Sequence, residues 1–287
     1  YAAYRAGGEP SARAVYGSML SVYQTVSGDH RDTGIDRDYP LDRSIFDIPF
    51  DRLFSLTSGD VYVHRMFMRM DQTVDDQETF KAFAKLVKAL GGQAREERYV
   101  VVFTLAAAGR RIEIYANKPN AAAVRLGVGR IAELLKGARI ESVIGRGHTS
   151  IIKPLQADAR RLLGPRIKDV TGVFVGSCGG DASVRELIGT FGYVPFFTTK
   201  ATGRQIINNT ILRDYMQALL TLSPGEQLRV VDVLNRAVSR FIRDGSNEEL
   251  QADARLYQVN MTTVFTTRLF DRHVRGQAGP WKTARGE

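Results

Sequence analysis

The sequence predicts an α/β fold, a three-layer sandwich with a mostly parallel central sheet. Between residues 60 and 220, strand-like and helix-like stretches alternate regularly, the pattern of a parallel sheet covered on both faces. Two of the strands, around Val143-Ile144 and Val173-Phe174-Val175, are apolar on consecutive residues, as strands buried on both sides must be. Each runs into a glycine-containing turn that carries one reactive side chain: His148 in Gly145-Arg146-Gly147-His148-Thr149-Ser150, and Cys178 in Gly176-Ser177-Cys178-Gly179-Gly180. In open α/β sheets the C-terminal edge of the strands is where ligands and chemistry gather.

The elements follow in order. Residues 1–58 read as an N-terminal extension, helical over Ser11 to Val26 and irregular over Ser27 to Asp51, where Gly, Asp, Arg and Pro accumulate. Residues 59–222 form the core. Asp60 to Met70 is a long strand. Asp75 to Leu90 is a helix, with Phe80, Phe83, Ala84, Val87 and Leu90 at helical spacing and Gly91-Gly92 as its stop. Tyr99 to Leu105 and Arg111 to Tyr115 form a hairpin about Gly109. Asn120 caps a helix that runs to Leu135 and closes at Gly137. The strand Ile140 to Ile144 leads to His148, and a helix follows over Ser150 to Leu163. The strand Asp169 to Val175 leads to Cys178, and a helix follows over Ala182 to Gly189. Val194 to Thr199 is a further strand and Asn208 to Leu220 a further helix. Residues 223–287 are a C-terminal helical or mixed segment packed on the core. It is helical over Glu226 to Arg243, of ambiguous type over Leu256 to Phe270, and polar beyond Gly276.

Composition narrows the class. The 287 residues, 44% hydrophobic and 25% charged, suit a globular domain with a full core. A single cysteine forbids an internal disulfide and fits a reducing, cytoplasmic setting. The longest apolar run, Tyr99 to Ala108, is far below the ~20 residues of a membrane helix, so no membrane association is expected. The chain opens on Tyr1 rather than methionine, which reads as part of a longer chain or complex. The net charge of +9 comes from basic residues spread along the chain among acidic ones. Nucleic-acid binders concentrate theirs on one face, so a specific nucleic-acid partner is not expected.

Several motifs can be set aside. There is no Gly-x-x-x-x-Gly-Lys-Ser/Thr, and Gly127-Val128-Gly129 lacks the third glycine of a dinucleotide fingerprint. His30, His64, His148 and His273 are scattered with no cysteine partner, so neither a metal nor another cofactor is expected. A phosphatase cysteine loop needs an arginine at fixed spacing after the nucleophile; Arg185 lies one residue too far, and Asp181 would repel phosphate. His64, mid-strand among Met66, Met68 and Met70, reads as a packed side chain, and Arg65 and Arg69 as structurally paired. Asn208-Asn209-Thr210 and Asn260-Met261-Thr262 match the glycosylation pattern by chance.

What remains is a thiol and an imidazole delivered by two strands of one sheet, a nucleophile and its base. The two apolar strands, one ending in Gly-His and the next in Gly-Ser-Cys-Gly-Gly, resemble the caspase-hemoglobinase fold family of cysteine peptidases, the group of caspases, gingipains, clostripain and separase. The resemblance covers residues 60 to 220. It implies a caspase-like fold, a peptide or protein substrate, His148 as the family histidine and Cys178 as the nucleophile. The family usually has glycine after its histidine, where Thr149 stands here, and its arginine-specific branch often has aspartate shortly before the cysteine, where Gly176 and Ser177 stand. Backbone N–H groups of Thr149, Cys178 and Gly179 are the candidate oxyanion donors, and a helix starting near Ala182 would favour the thiolate. The expected function is a cysteine endopeptidase acting by acyl transfer. The alternative is a non-catalytic caspase-like scaffold or interaction module of a larger protein, with a cysteine-dependent phosphatase behind both. The substrate-binding residues are not identifiable from sequence. Residues 27–51, or the segment after Pro224, are candidates for a cover over the site.

Overall fold

The computed structural model describes residues 47–57, 59–200, 202–243 and 247–259. The elements in chain order are β1 (Asp47–Pro49), α1 (Phe50–Leu53), β2 (Ser55–Leu56), β3 (Tyr62–Met70), α2 (Val74–Ala89), β4 (Gln93–Glu96), β5 (Val100–Ala107), β6 (Arg110–Asn117) and α3 (Ala121–Leu135). They continue with β7 (Ser142–Arg146), α4 (Ile152–Leu163), β8 (Gly172–Val175), α5 (Val184–Phe191), β9 (Phe196–Thr199), α6 (Gln205–Thr221), β10 (Gln227–Arg229), α7 (Val230–Arg243), α8 (Glu248–Arg255) and β11 (Tyr257–Val259).

The main sheet runs in the order β11-β9-β8-β7-β3-β6-β5-β4, with β2 paired to β3. Its middle, β6-β3-β7-β8-β9, is parallel throughout, and antiparallel strands close both edges: β5 and β4 on one side, β11 on the other. The alternation of side chains along each parallel strand divides the interior in two. Met66, Met68, Met70, Ile144, Phe174 and Phe197 point to one face and pack with α2, α6 and α7. Phe67, Val143, Val173, Val175 and Phe196 point to the other and pack with α3, α4 and α5. Helices thus cover both faces, which is why the central strands are apolar on consecutive residues. On the first face Phe174 stacks on Phe197 at 4.2 Å and meets Tyr215 edge-on at 4.8 Å, pairs worth ~0.5–1.5 kcal/mol each beyond their burial.

Local signals account for the helix ends. Thr73 and Asp76 form a reciprocal capping box at the start of α2, and Asn120 Oδ1 accepts the Ala123 N–H at the start of α3. The hairpin about Gly109 (φ 77°) joins β5 and β6. Helices start earlier than periodicity indicates at α6, which opens at Gln205 rather than Asn208. The helix after Cys178 starts later, at Val184, behind a single 3₁₀ turn over Gly180–Ser183.

The end of the predicted N-terminal extension is paired with the core. Residues 47–51, expected to be irregular, form β1 and the first turn of α1, and β1 pairs with β10. Tyr257–Val259 settles as strand, joined to the main sheet. The expectations for Ser11 to Val26, Thr262 to Thr267 and the polar tail lie outside the described residues. Among the described residues no helix is long and apolar enough to cross a membrane.

Candidate active site

Adjacent parallel strands β7 and β8 end at the same edge of the sheet, and the chain beyond each turns at once. After β7, Gly147 (φ 152°) lets the backbone reverse close to Asp71 and Asp76, and Ile151 N–H donates to His148 C=O at 2.9 Å. After β8, Gly179 takes a left-handed conformation (φ 62°) and Gly180 N–H donates to Ser177 C=O at 3.1 Å. The left-handed conformation explains the glycine directly after the thiol. The two turns touch: Thr149 Oγ1 donates to Cys178 C=O at 2.5 Å.

His148 and Cys178 are both exposed and line one pocket of about 320 Å³. Its other walls are the first turn of α2 (Asp75, Asp76, Glu78, Thr79), the end of β7 (Gly145, Arg146, Gly147), Gly176, and the approach to α6 (Thr202, Gly203, Gln205, Asn208). The sheet therefore brings the predicted nucleophile and base to one cavity. Thr149 and Gly179 flank that cavity without lining it, and Thr149 reaches Cys178 through its hydroxyl.

The cysteine side is braced from several directions. Gly203 N–H points at Cys178 Sγ from 3.4 Å, and Gly203 presses so closely on Gly176 C=O that any side chain there would overlap it. Asn208 Nδ2 donates to Gly176 C=O at 2.9 Å, and a Cβ on Gly176 would collide with that same amide. Arg204 fixes the stretch from the other side. Its Nε donates to Asp253 at 2.6 Å, its guanidinium also pairs with Glu249, and its backbone N–H donates to Tyr257 Oη at 2.7 Å. Gln258 Nε2 bonds Asp181 in the turn after the nucleophile. Residues Glu249, Asp253, Tyr257 and Gln258 thus support the site from behind. Of the described residues after Pro224 none lines the pocket; the rest of the segment expected as a cover lies outside the described residues.

The histidine side is bare by comparison. Among the described residues the His148 ring meets no hydrogen-bonding partner, and no third group orients it. Beneath it lies Arg146, 5% exposed, whose Nη2 donates to Asn209 Oδ1 at 2.7 Å. Burial pulls this guanidinium down to about 10, against the pull of Tyr257 and Asp76. Burial likewise pushes the Tyr257 phenol up to about 12.

Sequence reasoning missed Arg146, Asn208, Asn209, Gly203 and Arg204. One signal was readable: Arg146 is a charge at the end of an otherwise apolar strand, two residues before the histidine. The asparagines, matched to a glycosylation pattern, instead brace the ends of β8 and β7. The expected structural roles hold for Arg65, paired with Glu113 at 3.1 Å, and Arg69, paired with Asp158 at 2.7 Å. No protein-family model matches the chain, and no similar sequence is found among curated proteins.

Proposed function

We propose that this chain is a cysteine endopeptidase of the caspase-hemoglobinase type, cutting peptide bonds by acyl transfer. The observation that carries the reading is the pairing of His148 and Cys178 in one pocket, delivered by consecutive parallel strands with α4 between them. In this reading Cys178 Sγ attacks the scissile carbonyl while His148 takes the thiol proton and passes it to the leaving amine. Water, deprotonated by His148, then releases the acyl group from sulfur. Backbone N–H groups of Thr149, Cys178 and Gly179 are the proposed oxyanion donors. The Gly203 N–H directed at Sγ helps to hold the sulfur in place within the pocket. The reading needs no cofactor; its partner is a peptide or protein segment entering the pocket.

The unoriented His148 ring favours a second reading, a caspase-like module that binds without cutting. A peptidyl acyloxymethyl ketone separates the two. A peptidase modifies Cys178 with this reagent far faster than its reaction with iodoacetamide would indicate, and saturably. A binding module reacts with both at the rate of an ordinary free thiol.

A further inference from the structure

The turn that presents the thiol runs from Ser177 to Gly180 and is closed by the Gly180 N–H, which donates to Ser177 C=O at 3.1 Å. Its third residue, Gly179, stands at φ 62° and ψ 24°, while Cys178 lies outside the left-handed region. That combination is a type II turn. A type I turn keeps the same closing bond with its middle peptide, here Cys178–Gly179, rotated by ~180°. Glycine in the third place admits both forms, because it has no side chain to disfavour either sign of φ. The residues of the turn therefore leave the choice between the two forms open.

The neighbouring turn makes that choice. Thr149 Oγ1 donates to Cys178 C=O, the oxygen of the middle peptide, at 2.5 Å and across 29 positions of chain. In the type I form this oxygen would turn away and the bond would be lost. The braces described above act elsewhere: Asn208 on Gly176 C=O, Gly203 on Sγ and Gln258 on Asp181. The hydroxyl also stands where the resembling family usually has a glycine, so this contact belongs to the present chain.

We infer that the Thr149 side chain is a positioning residue of the site: its hydroxyl holds the Cys178–Gly179 peptide in the type II form and so aims the Gly179 N–H. In a trans peptide the C=O and N–H point in opposite directions. A flip would therefore set the Cys178 oxygen where the Gly179 N–H now points, and an oxygen there repels a developing oxyanion. Accepting a hydrogen bond at the C=O also polarises the peptide and strengthens its N–H as a donor. This role rests on the peptidase reading, in which the Gly179 N–H is one of the oxyanion donors. That reading uses only the backbone of Thr149; the task of its hydroxyl is new.

The test compares the full chain with Thr149→Val, which keeps the shape and removes the hydroxyl, and Thr149→Ser, which keeps the hydroxyl. Each reacts with a peptidyl acyloxymethyl ketone, whose carbonyl oxygen takes the place of the oxyanion, and with iodoacetamide, whose displacement by sulfur develops none. Thr149→Val is expected to lower the maximal rate of inactivation by the ketone about tenfold or more, towards the 10²–10³ of a lost oxyanion donor, with the iodoacetamide rate changed less than about twofold. Thr149→Ser should keep the wild-type ratio of the two rates. Gly179→Ala, which disfavours the left-handed φ, should show the same selective loss. Adding Thr149→Val to it should cost little more, since both act on one peptide. An unchanged ketone rate in Thr149→Val, an equal loss towards both reagents, or additive losses in the double variant would overturn the role of the hydroxyl while leaving a ketone-reactive wild type as a peptidase. A wild type that meets the ketone only as an ordinary thiol would remove the peptidase reading, and this role with it.

Discussion

His64 lies on β3 and His148 in the turn just beyond the neighbouring parallel strand β7, and their surroundings are opposites. At the middle of the sheet His64 is fully buried; its Nδ1–H donates to Leu53 C=O at 2.6 Å and its Nε2 accepts from Ser142 Oγ at 3.0 Å. Ser142 in turn meets Tyr215 Oη at 3.1 Å. A carbonyl can only accept, so this chain of bonds fixes one neutral tautomer, and burial drives the imidazole down to about 3. At the C-terminal edge His148 is exposed, and its ring makes no such bond among the described residues. The same residue type is locked as neutral packing in one region and exposed in the pocket of Cys178 in the other. The comparison separates a structural imidazole from a candidate chemical one by position along the sheet: His64 is bonded on both ring nitrogens in the middle, and His148 stands exposed at the edge.

If that division is real, edge substitutions should change reactivity and central ones stability. The largest expected effect is at the edge. His148→Ala should slow inactivation of Cys178 by a peptidyl acyloxymethyl ketone by about 10²–10⁴-fold, the usual contribution of a positioned acid–base group, with the melting temperature unchanged. A loss under threefold would remove His148 from the chemistry.

The centre gives the next effect. Between about pH 6.5 and 3 the unfolded chain protonates His64 and the folded protein does not, so His64 makes stability fall with pH across this window, by ~1.4 kcal/mol per unit. The stability is complete above pH 6.5. Urea unfolding at pH 7 and 4.5 should show wild type losing roughly 2–3 kcal/mol more than His64→Gln over that interval. Iodoacetamide reactivity of Cys178 should be the same in both at pH 7. Parallel pH curves for the two proteins would show that His64 is not held neutral.

The smallest effects sharpen the account of the braces. Asn208→Ala removes the donor to Gly176 C=O and should cost about 1 kcal/mol of stability, with a several-fold change in thiol reactivity. Asp253→Asn weakens a half-exposed ion pair behind the site and should cost under about 1 kcal/mol. Its reactivity change should be smaller than that of Asn208→Ala; the reverse order would mean that the support acts mainly through Arg204.

The parallel core was legible because it rests on local rules: consecutive apolar residues for doubly buried strands, the Asn120 cap, and glycine stops. His148 and Cys178 were legible for the same reason, each standing where a buried strand runs into a glycine turn. The pairing of β1 with β10 and of β11 with β9 was not, because short edge strands are made by partners distant in sequence and carry little pattern of their own. The braces at Gly203, Arg204 and Asn208 were hidden likewise, since each acts across 25 to 53 positions of chain. Arg146 was visible as a charge but not as one that meets no carboxylate among the described residues. Whether a buried arginine has a carboxylate depends on which helices cover it, and periodicity does not specify that.

The central claim is that Cys178 and His148 form a working peptidase site, and digestion of a peptide library by wild type and Cys178→Ala side by side tests it most directly. The account predicts new termini with wild type, a common preference in the residue before the cut, and none with Cys178→Ala. Identical digestion by both proteins, or an intact library with wild type under conditions where Cys178 alkylates only as fast as an ordinary thiol, would contradict it.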